Sequence, residues 1–441
     1  MIDHTDRDMP TREELATATA RPMPRSFTVV SAIFALIGIL VFLIGAFKGE
    51  SRAWQALHFN WLFFATVSQA GVVFVAVQRI TTARWSRPIV RLLEGYVAFL
   101  PVAFLLLILI LIGGKHIFPW LTHEPPGIEK KQYFNYTFVV VRDILMFGII
   151  TALSLWYIYT SVRLDVGSLP DSGASWARGI RERMRRGFRD ERREIHSTHS
   201  LQGKLAIWLC LCFNFFFIVF SWDLSMSLDM YFLSTMYGWW FYMGGWMAAL
   251  ASWSLFTIWW RSYLGAEEYI TEHHFHDLGK LCFAFTVFWG YLTFAQYLVI
   301  WYGNMPEETH WFRLRLIQPW TEATIAVVIL AFVIPFFGLL SRAAKVYLPT
   351  FIAFTLSSVV GLWLLRYVEV YPSLHYTETS APFGLWEIAI TLGFIGIWGL
   401  CYRAFMDAFP RMRVVLMTSA YRDEVQVPVD ADTMEPLPAH E

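Results

Sequence analysis

Ser26-Phe-Thr-Val-Val-Ser-Ala-Ile-Phe-Ala-Leu-Ile-Gly-Ile-Leu-Val-Phe-Leu-Ile-Gly-Ala-Phe47 is an apolar run without a charge. A bilayer core is crossed by about 20 such residues, at about 1.5 Å of rise each. The rest of the chain repeats the pattern. Of 441 residues, 56% are apolar and 16% charged, and the mean hydropathy is +0.45. Soluble domains carry about 25% charged residues. The fold class is therefore an all-α integral membrane protein.

Ten spans are expected: Ser26–Phe47, Ala56–Arg79, Pro88–Gly114, Phe134–Val162, Lys204–Ser221, Thr235–Trp260, Leu278–Tyr302, Thr321–Leu340, Val346–Tyr371 and Leu385–Phe409. The second is the weakest, diluted by His58, Asn60, Ser68 and Gln69. About 25 mostly polar residues precede the first, which is also too long for the core of a cleaved signal. Alternate connections hold 23 Lys and Arg against seven on the other side. The positive-inside bias then puts both termini in the cytoplasm.

The chain divides into a tail (1–25), a first helical bundle region (26–162, spans one to four), a basic linker (163–203), a second bundle region (204–409, spans five to ten) and a C-terminal tail (410–441). The linker segment Ala174–Arg189 reads as a basic helix along lipid headgroups or against a partner, capped by Asp171 or Ser172, or else as a solvated connection. The last residues, with Pro428, Pro436 and Pro438, read as a disordered tail or an arm over a neighbour.

Zero net charge gives no field to draw nucleic acid. The four cysteines fall in apolar runs without paired spacing, which argues against a disulfide scaffold, a zinc ribbon, a cysteine-held iron–sulfur cluster or a covalently attached haem. Of 12 histidines, only His58 falls within an expected span, so bis-imidazole haem ligation has no basis and no metal is expected. His273-His-Phe-His276-Asp277 is a conceivable metal site, or a loop in which Asp277 caps span seven.

Ionisable residues inside a membrane cost about 2.5–3.5 kcal/mol each on insertion scales. Arg91 and Glu94 share a helix face at i, i+3, two turns from the cytoplasmic end. Arg142-Asp143 lies below the outer surface of span four, and Arg366 and Glu369 near the outer end of span nine. Glu94 opening inward and Asp143 outward would make a proton route. Alternatively each acid merely neutralises its arginine, or serves a quinone headgroup or a neighbouring subunit; Arg91 could simply snorkel to the headgroups. Ser221–Asp229 suits a short interfacial helix or turn.

Three strings carry a resemblance: Ser221-Trp-Asp-Leu-Ser-Met-Ser-Leu-Asp-Met-Tyr-Phe-Leu-Ser-Thr-Met-Tyr-Gly238, His276-Asp-Leu-Gly-Lys-Leu-Cys-Phe-Ala-Phe-Thr-Val-Phe-Trp-Gly-Tyr291 and Gln296-Tyr-Leu-Val-Ile-Trp-Tyr-Gly-Asn-Met-Pro-Glu-Glu-Thr309. The chain resembles the ActF-type membrane subunits of bacterial alternative complex III, within the NrfD/polysulfide-reductase superfamily. The resemblance implies a pair of four-helix bundles with flanking helices in the bacterial inner membrane. It implies a non-redox subunit of a quinol:cytochrome c (or other acceptor) oxidoreductase, beside an ActC-like sister, an ActB-like iron–sulfur subunit and multihaem and monohaem cytochrome c subunits. Quinol, iron–sulfur clusters and c-type haems would belong to those partners, and none to this chain. Carried over by position, the proton-path candidates are Glu94, Arg142 and Asp143, then Asp223, Asp229, His276, Asp277, Gln296 and Glu307, with Arg91, Arg366 and Glu369 from the buried pairs. A secondary transporter, a quinone-binding anchor and a plain scaffold are the competing functions. Against the transporter, Gly/Pro-broken helices in corresponding halves are not evident, apart from Pro335 in span eight.

Overall fold

Helix boundaries here follow capping and aqueous chemistry as well as hydropathy, so the helices outrun the apolar segments. The computed structural model describes residues 11–19, 21–171, 173–419 and 421–422. Its long helices are α1 (Arg25–Phe47), α2 (Ser51–Ile80), α3 (Val90–Ile112), α4 (Tyr136–Ser168), α5 (Glu191–Leu224), α6 (Tyr237–Leu264), α7 (Glu272–Gly303), α8 (Thr321–Gly338), α9 (Leu348–Leu374) and α10 (Leu385–Ala408). No strand occurs among the described residues. The chain is an all-α, multi-pass membrane protein.

Nine of these helices, rather than the expected ten, are long and apolar enough to cross a membrane among the described residues. The exception is α6, whose 28 residues include Trp239, Trp240, Trp246, Trp253, Trp259 and Trp260 with Gly238, Gly244 and Gly245. Indole and glycine add little hydropathy. They suit a helix sheathed in protein, since α6 packs against α2, α5, α7 and α9.

The span weakest in sequence is central. α2 is buried along nearly its whole length. The residues that dilute it are its joints. Trp363 and Thr391 both donate to Asn60 Oδ1, at 3.1 and 3.0 Å. Trp398 donates to Ser68 (2.9 Å) and Gln69 to Ser154 (2.8 Å). Side-chain hydrogen bonds of this kind hold helices together in lipid, where no hydrophobic force does.

α2–α5 pack around one another, and so do α6–α9; α1 lies against α10 and α2. The α1–α10 crossing is built on glycine: a Cβ on Gly38 or Gly393 would strike the backbone of the facing helix. Two helices are interrupted. α3 tightens into a 3₁₀ turn at Gly95–Phe99 ahead of Pro101, which has no N–H to give. α8 widens into a π turn at Val328–Val333 ahead of Pro335, and Ser357 donates to the Leu330 carbonyl (3.1 Å).

One end gathers the basic connections. There Arg12, on the short helix Arg12–Thr19, holds Glu191 at 2.8 Å, and Arg21 donates to the Tyr263 carbonyl (2.7 Å). The expected linker is largely helix, because α4 runs on to Ser168 and α5 begins at Glu191. Charged, water-facing turns extend a span without registering as apolar. Between them, helix Arg178–Arg185 turns two arginines inward. Arg181 donates to the carbonyls of Ala174 (2.9 Å) and Ala408 (3.1 Å), and Arg185 to those of Val166 and Leu169 (both 2.9 Å). They close the C-terminal ends of α4 and α10. Asp171 is not a cap: it accepts from Arg181, which holds its carboxyl below the usual range. Ser172, residues 1–10 and residues 423–441 lie outside the described residues.

Two further expectations are corrected. Segment 273–277 is the first turns of α7 rather than a loop, and Thr271 caps it in a capping box with His274. Asp277 instead pairs with Lys280 (2.7 Å). His196 and His199 likewise sit within α5, in its polar extension.

Candidate functional site

Three buried charge clusters dominate the interior, one near the basic end and two near the other, here called the distal end. In the first, Arg91 is fully buried, which overturns the snorkelling expectation. It pairs with Glu94, one turn along α3, and with Asp165 of α4. Glu94 also receives the Ser161 hydroxyl (2.7 Å) and the guanidinium of Arg413, which returns from the C-terminal segment. Asp165 accepts the Val415 N–H (2.9 Å). Two acids and two arginines balance, and nearly every charged atom is matched. Arg413 is held above the ordinary guanidinium value by Glu94, which outweighs its burial.

The second cluster lies where α4 meets the end of α5. Arg142 does not serve its neighbour Asp143. It pairs with Asp223, at 2.9 Å through Nε and 2.7 Å through Nη2, and lies over the Tyr133 ring at 4.3 Å. Successive helix residues point about 100° apart, so Arg142 and Asp143 cannot face the same partner. Asp143 is fully buried, and neither carboxylate oxygen has a donor among the described residues. Its close polar neighbour is the carboxyl of Asp223. Two ionised carboxylates only accept, so neither can satisfy the other. His58, also fully buried, lies edge-on to Phe118 at 5.6 Å and close to the backbone of Leu224.

The third cluster joins α9 to α6 and to helix Pro306–Leu316. Arg366 grips Glu369 at 2.8 and 2.7 Å and donates to the Phe241 carbonyl (2.6 Å). Arg315 donates to the carbonyls of Trp311 and Glu369 (both 2.7 Å) and to Ser373 (3.1 Å). Burial pushes its guanidinium down to about 10, so it stays charged at neutral pH. Nearby, Glu387 takes Arg52 through both oxygens and the Tyr371 hydroxyl (2.9 Å).

One face of α4 links the first two clusters. Asp143, Phe147, Ile150, Ser154, Tyr157, Ser161 and Asp165 recur every three or four residues, and all are buried. Ser154, Tyr157 and Ser161 make polar contacts with α2 or Glu94. Phe147 and Ile150 interrupt the polar row, and Phe147 is walled by Trp61, Phe104 and Phe220 with ring centres 5.4–6.4 Å away. Two polar ends thus flank an apolar septum.

The other sequence candidates lie apart. His276 and Asp277 are at the basic end of α7, Gln296 is buried within α7, and Glu307 is exposed at the start of helix Pro306–Leu316. Asp229 accepts the Tyr231 N–H (3.1 Å) and borders a distal cavity of about 510 Å³ lined also by Lys115, His116, His123 and His310. Among the described residues, no three of His, Cys, Asp and Glu are grouped to hold a metal ion. Sequence reading missed Asp165, Ser161, Arg413 and Arg315. The first two share the buried face of α4 with Asp143; nothing local marks the other two. No protein-family model matches the chain, and no curated protein matches it.

Proposed function

We propose that the chain is a non-redox membrane subunit of a quinol:electron-acceptor oxidoreductase of the alternative complex III type, with an ActF-like place in the complex. Both termini face the cytoplasm of a bacterial inner membrane. The sister NrfD-like subunit, the iron–sulfur subunit and the cytochrome c subunits hold the quinol site and the redox centres. Three motif strings support this reading, as do the two groups of four helices with α1 and α10 beside them.

Its part in energy conservation is proton handling. The observation that carries this is the Asp143–Asp223 pair, two buried carboxyls with one arginine, which is committed to Asp223. An uncompensated buried charge costs several kcal/mol, so the pair favours one bound proton. Glu94 and Asp165 form the acid group at the other end, and the Phe147/Ile150 septum keeps the two from leaking into each other. Movement of α4 against α5, driven by quinol oxidation in a partner, would pass the proton. Isolating the tagged chain from its native membranes tests the assignment. Co-purification with haem- and iron–sulfur-bearing subunits and quinol-oxidising activity is expected. Recovery alone with its own chromophore would overturn it.

A second reading, a secondary transporter, draws on the interruptions of α3 and α8, the third helix of each five-helix half. Substrate uptake by the lone chain in proteoliposomes would favour it.

A further inference from the structure

We infer that a cleft between α9 and α10 binds one acyl chain of a bilayer phospholipid, which enters from the leaflet at the basic end. The two helices make little direct contact: α9 leans on α6 and α10 on α2, so these inner helices floor the gap. The cleft measures about 480 Å³, and its lining lies near the middle of all four helices, at hydrocarbon depth. Leu356 and Val360 of α9 and Ile395 of α10 are 48, 41 and 44% exposed on its rim. Phe63 and Val67 of α2 and Ala248 of α6 are buried at its floor.

Three observations select the occupant. The first is that the cleft is dry. Its side chains with hydrogen-bonding groups are all committed within the protein: Trp363 and Thr391 to Asn60 (3.1 and 3.0 Å), Trp398 to Ser68 (2.9 Å) and Ser252 to Tyr96 (2.8 Å). A trapped water needs about two to four polar partners, and a polar headgroup would find none here either. The second is width. Trp363 and Thr391 donate to the same oxygen, which holds the two walls within two hydrogen-bond lengths of each other at that level. A helix with its side chains is about 10–12 Å across, so a transmembrane helix of another subunit does not enter, whereas a single methylene chain does. The third is closure at one end. On the distal side Phe383 packs edge-on against Trp363 and Tyr367, with ring centres 6.3 and 5.4 Å apart, and Tyr371 joins α9 to α10 by donating to Glu387 (2.9 Å). Towards the basic end α9 stays exposed at Ile352, one turn beyond Leu356. In lipid no hydrophobic force fills such a space. Dispersion does, because lining atoms without neighbours forfeit their contacts.

The test is photolabelling of the full-length protein in phosphatidylcholine vesicles whose lipid carries a diazirine at the end of one acyl chain, followed by peptide mapping. Insertion into α2 at residues 63–67 is expected, although α2 is otherwise sheathed in protein. The lipid-exposed residues 29–44 of α1 are the internal control. Label on α1 with none on α2 overturns the site. Val360→Trp with Ile395→Trp, both on the exposed rim, should abolish the α2 label and spare that on α1; an undiminished α2 label in this variant overturns the site. Should the variant fail to fold, a lipid with its diazirine beside the ester decides in the wild type. Labelling of α2 from the chain end alone supports a chain reaching mid-depth, and equal labelling from both positions overturns it. An equal amount of a polyprenyl alcohol should leave the α2 label unchanged; suppression of the label would mean that the cleft prefers a branched chain, and the acyl assignment fails.

Discussion

Asp143 on α4 and Asp223 on α5 sit carboxyl to carboxyl inside the protein, and the guanidinium beside them, Arg142, is committed to Asp223. The pair has one acid more than its arginine balances. The Arg91–Glu94–Asp165–Arg413 cluster at the basic end is balanced, with two of each sign. Like charges a few ångströms apart in a desolvated site do not both ionise readily, so the two ends differ in how their charges are balanced.

Removing Arg142 should therefore do more than delete one ion pair. Arg142→Gln leaves two buried acids with no cation, and a loss of about 3–5 kcal/mol is expected. Adding Asp223→Asn should recover most of it. Melting of both variants in detergent checks this; strictly additive effects would contradict the pairing.

Glu94 should behave as a keystone. It is gripped by Arg91, Arg413 and Ser161, so Glu94→Ala leaves Arg413 without its acid and two buried guanidiniums against Asp165 alone, and should cost about 3–5 kcal/mol. Release of the C-terminal segment should follow, read as faster proteolysis beyond residue 409. An intact segment at wild-type stability would contradict the geometry.

Two glycines should respond with opposite signs. Gly393→Ala drives a methyl group into the Gly38 backbone, with an overpacking cost of about 1–3 kcal/mol. Gly179 lies in helix Arg178–Arg185 with nothing within 4 Å of an added Cβ. Gly179→Ala should add about 0.5–1 kcal/mol to that helix. Thermal melting reads the first and hydrogen exchange the second.

The clamp on the Arg178–Arg185 helix should weaken in acid. Arg181 depresses the Asp171 carboxyl, so the stabilisation is complete above the ordinary carboxylate value of about 3.9 and fades as pH falls through the lower folded value. Hydrogen exchange of segment 173–185 should rise in that window. In Asp171→Asn it should be fast already at neutral pH and lack this transition. An identical acid profile in the variant would exclude the clamp.

Hydropathy located nine of the ten long helices, because crossing apolar segments is a property of consecutive residues. Reach across the fold is not. The pairs Arg91–Glu94 and Arg366–Glu369 were legible at i, i+3, whereas Arg413 reaches Glu94 from 319 residues away and read as a tail charge. Asp223 read as part of an outer turn, yet belongs to the last turn of α5 and takes Arg142 from Asp143. α2 looked weak because its polar residues were counted against lipid, when they face other helices. α6 reached the list through length and its lack of charge, and its tryptophans explain why apolarity alone does not place it there.

The central claim is that Asp143 handles a proton. Asp143→Asn keeps the shape of the side chain and removes the titrating group. In the purified complex reconstituted into vesicles, the decisive quantity is protons moved per electron during quinol oxidation. Normal assembly and quinol turnover with a lowered ratio is the predicted result. An unchanged ratio at unchanged turnover would contradict it.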